Sequence, residues 1–233
     1  MFLFVVKYIF YHNSCRINPN FLKRKLFFQS YIISSQILHT DIHGMFSDVY
    51  LHYVKKLRNS TRQILSDTQV NKCKKSNYYN YIILNASKCN QLLSLLIQNE
   101  FYISSEFLNN FKQCCIYIGK GTNRRKFDHV VTARNNKIND HNQNSQTIQH
   151  LWNNKEGIMV FHFPNEVNHY EAHSREFALI KAVGLNKLNN VINGTAYGSI
   201  QYWNETEIHN FGNMMLYNAI KICVNDPPPI IMN

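Results

Sequence analysis

The chain has 233 residues, of which 45% are hydrophobic and 17% are charged. This composition excludes a disordered polymer and is typical of one globular domain with an extension, since two full domains would be a tight fit. The formal net charge of +11 suggests an anionic partner. However, residues 1–76 hold a surplus of nine positive charges and residues 77–233 a surplus of only two. Total charge alone is therefore weak support for nucleic-acid chemistry.

The first twelve residues, Met1–His12, form an apolar run that Lys7 interrupts. The run is too short to span a bilayer and lacks the flanking features of a secretory signal, so we expect no stable membrane insertion. A helix on a membrane surface, a buried helix and an artefact of the assigned start remain alternatives. The basic residues 16–25 keep the membrane-surface alternative open.

Six cysteines show no C-x-x-C pair and no spacing typical of a zinc site. Reduced thiols in an intracellular compartment, nuclear or cytoplasmic, are the expected state. The cysteines are Cys15, Cys73, Cys89, Cys114, Cys115 and Cys223.

The chain divides into three predicted parts. Residues 1–76 are predicted to be a basic extension, helical or partly disordered, with a helix near Phe46–Leu65 and the polar run Gln69–Asn77 at its boundary. Residues 77–224 form the predicted main domain, and residues 225–233 form a tail. No repeat period is visible.

In the main domain, short runs rich in β-branched and aromatic residues alternate with segments of helical period. Strands are predicted at Tyr78–Leu84, Cys114–Gly119 and Gly157–Phe163. Helices are predicted at Gln91–Phe101, Arg124–Arg134, Glu166–Val183 and Glu205–Val224. Gly184 is a suitable stop for the helix before it. This order indicates a compact α/β layer fold with a small sheet flanked by helices.

One carboxylate falls inside an apolar stripe. On the predicted helix Glu166–Val183, Glu176 shares a face with Leu179 and Val183. Burying this charge without a partner would cost several kcal/mol, so it requires a cation. A metal ion is one candidate, whereas the neighbouring Arg175 points away on a helix. The alternative is a glutamate that reaches water at the edge of the stripe or pairs with another basic residue.

Arg125 and His129 are four residues apart on a predicted helix, so their side chains share a face. The forked guanidinium of arginine suits a phosphate, and histidine exchanges a proton near neutral pH. Together they suit phosphodiester chemistry, and a solvated basic face is the alternative. Further basic residues crowd the same segment and are predicted to contact backbone phosphates. They are Lys120, Arg124, Lys126, Arg134 and Lys137.

The run Tyr117-Ile118-Gly119 resembles the second half of the signature of the GIY-YIG endonuclease family, and Asn80-Tyr81-Ile82 stands in for the first half. The usual Gly-Ile-Tyr triplet is Tyr79-Asn80-Tyr81 here. The similarity covers about residues 77–220 and is strongest to animal nucleases that combine ankyrin repeats with a LEM domain. Later matching motifs are Arg125-Lys126-Phe127-Asp128-His129, Ser174-Arg175-Glu176 and Leu188-Asn189-Asn190.

The resemblance implies a small three-stranded antiparallel sheet flanked by helices. It also implies a metal-dependent endonuclease that hydrolyses phosphodiester bonds in branched or distorted DNA, as in DNA repair. A catalytically inactive nucleic-acid-binding module of the same fold is the alternative.

The resemblance further assigns roles to six residues. Glu176 would hold Mg²⁺ or Mn²⁺, and Tyr81 would position or deprotonate the attacking water. Tyr117 and Arg125 would bind the scissile phosphate. The roles of proton transfer and of orienting neighbouring groups fall to His129 and Asn190, respectively. Taken alone, the two tyrosines also suit ordinary strand positions, and the asparagine suits an ordinary loop.

Overall fold

The computed structural model describes residues 40–67, 77–98, 102–135, 142–163 and 166–233, with side chains from residue 48 onward. Val49–Asn233 forms one compact unit, and of the preceding unit, Met1–Asp48, only the helical residues 40–48 are described. Three predictions concern residues outside this part of the chain. They are the run Met1–His12, the polar boundary over residues 69–76, and the phosphate contact of Lys137.

The described residues form seven α-helices and four strands. The helices are α1 (Thr40–Asp67), α2 (Ala86–Gln98), α3 (Ser105–Cys114), α4 (Asp128–Asn135), α5 (Gln143–Asn153), α6 (His169–Val183) and α7 (Glu205–Asn225). The strands are β1 (Tyr79–Asn85), β2 (Cys115–Gly121), β3 (Ile158–His162) and β4 (Ile230–Ile231). None of these helices is both long and apolar enough to cross a membrane.

The four strands form one antiparallel sheet in the order β2-β1-β3-β4. Every residue of β1 is buried, because β1 lies between two strands and both faces of the sheet are covered. The predicted small antiparallel sheet flanked by helices is confirmed, with one strand more than predicted. The additional strand, β4, comes from residues 225–233 and pairs Ile231 with Ile158 of β3.

Each face of the sheet packs against its own set of helices. Ile82, Met159 and Phe161 belong to a large apolar core with α2, α3, α6 and α7. On the opposite face, Ile83 and Val160 belong to a smaller core with α4 and α5. The alternation of side chains along the strands therefore sends neighbouring residues into different cores.

Helix boundaries follow capping residues. The helices α3 and α5 were not predicted, although each begins after a residue whose side chain accepts a backbone N–H: Ser104 for α3 and Asn142 for α5. The predicted helix Arg124–Arg134 is a 3₁₀ turn, Arg125–Phe127, followed by α4. Gly184 ends α6 as predicted, with a φ of 97° that favours glycine.

The C-terminal part of α1 packs into the larger core. Leu57 and Thr61 are completely buried, and the Tyr53 ring lies 4.7 Å from the Trp203 ring between centroids. Thr61 also accepts a hydrogen bond from the Asn168 amide at the start of α6. Residues 49–67, which the sequence analysis assigned to the extension, thus supply part of the packing around α6.

Candidate active site

Two tyrosines from neighbouring strands meet over a glycine. Tyr81 of β1 lies opposite Gly119 of β2, and its ring centroid is 6.1 Å from that of Tyr117. A Cβ at Gly119 would lie only 2.6 Å from the Tyr81 hydroxyl oxygen, so a side chain there would displace the ring. Burial raises the pKa of both phenols, which are therefore neutral.

An irregularity in β2 turns Tyr117 toward Tyr81. The register between β1 and β2 shifts at Ile83 and Leu84, so that Ile116 is the extra residue of a β-bulge. As a result, Ile116 and Tyr117 both pack on the face covered by α4 and α5, although they are adjacent in sequence.

Arg125 and His129 lie beside this pair of phenols. The His129 ring centroid is 4.4 Å from that of Tyr117. Burial, with a smaller contribution from the Arg125 charge, lowers the pKa of His129, so that its imidazole is neutral at pH 7. Arg125 is largely exposed and its Nη1 atom lies 2.7 Å from Asp128 Oδ2. The Arg125 side chain packs directly on Gly121, and this is possible only for glycine, because a Cβ there would collide with that side chain.

Glu176 approaches the same strand from α6. Its Oε2 atom lies 3.0 Å from the Nζ atom of Lys120, and its side chain is only 10% exposed. Burial raises the pKa of Glu176, although the Lys120 ammonium acts in the opposite direction. The carboxylate is also close enough to Tyr81 and Tyr117 to add to the rise in the pKa of each phenol. The cation that the buried glutamate requires is therefore a lysine from β2 in this structure.

Asn190 completes the open edge of β2. Its side-chain oxygen accepts the Ile118 N–H at 3.0 Å, and its amide donates to the Ile118 carbonyl at 2.8 Å. The preceding Asn189 donates its backbone N–H to the Ile116 carbonyl at 2.8 Å. These bonds replace the partner strand that an edge strand lacks, and they hold Tyr117 and Gly119 in place.

Lys120 and Arg125 also line an open cleft of about 540 Å³. Three of its lining side chains are cationic and one is anionic, so the wall suits a negatively charged ligand. The cleft is lined by Tyr78, Lys120, Gly121, Thr122, Asn123, Arg124, Arg125, Asp128, His169 and His173.

Comparison with known proteins identifies the arrangement. The model of the family described as the LEM-3-like GIY-YIG domain matches residues 78–232, which include all four strands. The chain belongs to this family. The GIY-YIG domain is the domain of a nuclease family. Since the match extends to residue 232, the domain includes β4 as well as the two signature strands, β1 and β2.

Curated relatives share the domain but not the full length. An ankyrin repeat and LEM domain-containing protein 1 homolog from Caenorhabditis elegans is 29% identical over 118 residues, which cover 48% of this chain and 17% of the relative. The human ankyrin repeat and LEM domain-containing protein 1 is 27% identical over 124 residues, or 51% of this chain and 20% of the relative. The chain thus matches about a fifth of these relatives. No solved structure matches it.

The structure of the GIY-YIG domain brings all six predicted reactive residues to one place around β2: Tyr81, Tyr117, Arg125, His129, Glu176 and Asn190. Of the predicted phosphate contacts, Lys120 and Arg124 line the cleft. Lys126 instead lies 3.0 Å from the His162 ring, and Arg134 donates to the Met232 carbonyl near β4.

Sequence reasoning missed three aromatic side chains that line the cleft, those of Tyr78, His169 and His173. Tyr78 packs edge-on against His169, whose ring lies 4.4 Å from that of His173. Burial, followed by the nearby Lys120 charge, lowers the pKa of His173 to about 4. The available signal was the spacing of four residues between the histidines, which places both on one face of α6.

The site offers a divalent ion one carboxylate, that of Glu176. In the described part of the chain, no group of three or more His, Cys, Asp and Glu side chains is arranged to hold a metal. Glu176, however, is a buried carboxylate whose partner is the single ammonium of Lys120, which an ion would have to replace. The donor set therefore fits a hard ion held by one carboxylate, with its other positions left to water and a substrate phosphate.

Proposed function

We propose that this protein is a metal-dependent DNA endonuclease that hydrolyses phosphodiester bonds in branched or distorted DNA. The observation that supports it best is the Glu176 carboxylate, which is buried close to the Tyr81 and Tyr117 phenols and is paired with Lys120 in the wall of a basic cleft. Hydrolysis needs a positioned water, charge relief on the phosphoryl oxygens and a stabilised leaving group. The chain offers residues for each of these tasks.

Glu176 would hold Mg²⁺ or Mn²⁺, which supplies charge stabilisation and an acidified water when bound. Tyr81 would hold the attacking water through its hydroxyl. Because burial raises the pKa of Tyr81, unaided deprotonation of this phenol is costly. His129 is neutral because its pKa is lowered, and its ring lies against Tyr117, so it is suited to accept a proton. We therefore propose that proton transfer passes to His129.

The phosphate would lie between Tyr117 and Arg125. Arg125 is exposed, and its Asp128 partner is half exposed, so the guanidinium can exchange this surface ion pair for a substrate phosphate at little cost. Asn190 acts indirectly by fixing β2. Lys120 and Arg124 would contact adjoining phosphates, and Lys126 and Arg134 would contact only DNA that extends beyond the cleft.

The test uses the full chain with an end-labelled three-way DNA junction, a linear duplex and Mg²⁺. We expect cleavage of the junction by the wild type, loss of product in Glu176→Gln with binding retained, and wild-type cleavage by the exposed control Glu205→Gln. Chelation of the metal should stop the reaction.

Other outcomes exclude parts of the proposal. Equal products from the wild type and Glu176→Gln would indicate a contaminating nuclease and overturn the assignment. Junction binding without cleavage by the wild type would support the inactive binding module instead. Cleavage that persists with chelator would remove the metal. Equal cleavage of both DNAs would remove the preference for branches.

The place of action follows from the same proposal. The described cysteines Cys89, Cys114, Cys115 and Cys223 are all free and buried. Free thiols together with a DNA substrate favour the nucleus or the cytoplasm.

A further inference from the structure

The loop after Asn190 exposes two apolar side chains. Val191 is 91% exposed and Ile192 is 68% exposed, and they are consecutive in the chain. We call these two residues the apolar tip. A single exposed apolar residue is ordinary, but two adjacent β-branched residues this exposed make no contribution to the core.

Both ends of the loop lie against the candidate active site. On one side, Asn190 is bonded to both backbone polar groups of Ile118 in β2. On the other side, Gly194 adjoins α6, where a Cβ would be at ordinary contact distance from the Phe177 backbone, 3.4 Å, and from Glu176 Oε2, 3.6 Å. The apolar tip therefore lies between a residue that is hydrogen-bonded to β2 and a glycine that adjoins Glu176.

The cleft wall, which includes the Lys120 partner of Glu176, is charged, whereas the tip is apolar. Lys120, Arg124 and Arg125 line the cleft, so they match the charged backbone of a nucleic acid. The apolar part of a nucleic acid is the faces of its bases, which are covered by stacking in a regular duplex. An apolar side chain next to a phosphate site thus finds a partner only where a base step is open or can be opened.

We propose that Val191 and Ile192 contact an unstacked base at a branch or distortion of the DNA and so determine the preference for such substrates. This inference rests on the proposed function and specifies how its substrate is recognised. The tip supplies apolar contact to the base, and the cleft holds the phosphates on either side.

The experiment measures binding by the full chain in EDTA, so that cleavage is not a readout. The DNA is a three-way junction with 2-aminopurine at the branch point, compared with a linear duplex of the same sequence. We expect wild-type binding to the junction to raise 2-aminopurine fluorescence. The double variant Val191→Ser, Ile192→Ser should lose this rise and bind the junction about tenfold more weakly, as expected for loss of one buried aliphatic side chain. Binding to the linear duplex should be unchanged.

Two controls address folding and specificity. Val191→Leu, Ile192→Leu keeps the apolar surface and should behave as the wild type. Leu95→Ser removes an exposed apolar side chain from α2 and should have no effect on either DNA. Unchanged junction binding by the double serine variant, or equal weakening on both DNAs, overturns the inference. Absence of cleavage in Mg²⁺ would overturn the proposed nuclease activity while leaving this fluorescence result to be judged by itself.

Discussion

Helix α6 carries two buried carboxylates that are satisfied in different ways. Near α1, Glu171 accepts two hydrogen bonds from Arg175, at 3.1 and 2.7 Å, and lies 3.5 Å from Arg58. Near β2, the charged partner of Glu176 among the described residues is the ammonium of Lys120, which lines the cleft. A guanidinium that donates two hydrogen bonds to one buried carboxylate oxygen is a structural partner, whereas a single ammonium on a flexible stem can leave. The difference indicates which carboxylate is built for stability and which for exchange.

The largest expected effect is a difference in the free energy of unfolding between variants of the two carboxylates. Glu171→Gln leaves the buried Arg175 charge without a counter-charge and should lower the free energy of unfolding by about 3–5 kcal/mol. Glu176→Gln should change it by less than about 1 kcal/mol, because burial already disfavours the charged form. Urea denaturation of both variants measures the contrast.

A double variant checks the cause of the first effect. Glu171→Gln combined with Arg175→Met removes both charges and should recover part of the loss. Equal destabilisation by Glu171→Gln and Glu176→Gln would mean that the two regions do not differ.

The second effect concerns Mn²⁺ binding at Glu176, where Lys120 of β2 is the partner. Two unit charges about 4 Å apart near a protein surface interact by about 4 kcal/mol, so Lys120 opposes a divalent ion at Glu176. Lys120→Met should therefore tighten Mn²⁺ binding by at least about tenfold. Electron paramagnetic resonance titration of free Mn²⁺ measures it, with Arg58→Met as a control that should leave the affinity unchanged. Weaker or unchanged binding in Lys120→Met would show that the ammonium does not compete with the ion.

A smaller effect is the dependence of stability on pH. Burial raises the pKa of Glu176 above the ordinary value of 4.5, so the folded protein holds this proton more tightly than the unfolded chain does. The stabilisation by that proton is complete below pH 4.5 and is lost as the pH rises through the raised pKa. Relative to Glu176→Gln, the wild type should thus become less stable with rising pH. Chemical denaturation at intervals from pH 4 to pH 8 measures the difference, and a constant difference would contradict the raised pKa.

The smallest effect is expected at the outer member of the structural network. Arg58 is 35% exposed and lies farther from Glu171 than Arg175 does. Arg58→Met should cost less than about 1 kcal/mol, as for other partly exposed ion pairs. Thermal denaturation of Arg58→Met and Glu171→Gln under the same conditions compares the two losses of stability. If Arg58→Met lost as much stability as Glu171→Gln, the main partner of Glu171 would be Arg58 of α1 and not Arg175 of α6.

Much of the site follows from local patterns. Helical period places Glu176 in an apolar stripe, and its burial in the structure agrees. The strands β1 and β2 follow from runs of β-branched and aromatic residues. Patterns of this range do not reveal that Lys120 is the partner of Glu176, because the two residues meet only when α6 crosses the edge of the sheet. The strand β4 was missed because two residues after three prolines carry no periodic signal.

The amino-acid sequence by itself determined the strands β1 to β3, the helices α1, α2, α4, α6 and α7 in outline, and the family signature, since these depend on neighbouring residues and their spacing. Only the tertiary structure decided which buried charge has a replaceable partner, which asparagine completes the edge of β2, and where the apolar tip lies. Each of these depends on atoms more than fifty residues apart in the chain. Their proximity is produced by packing α6 and the loop after it against β2.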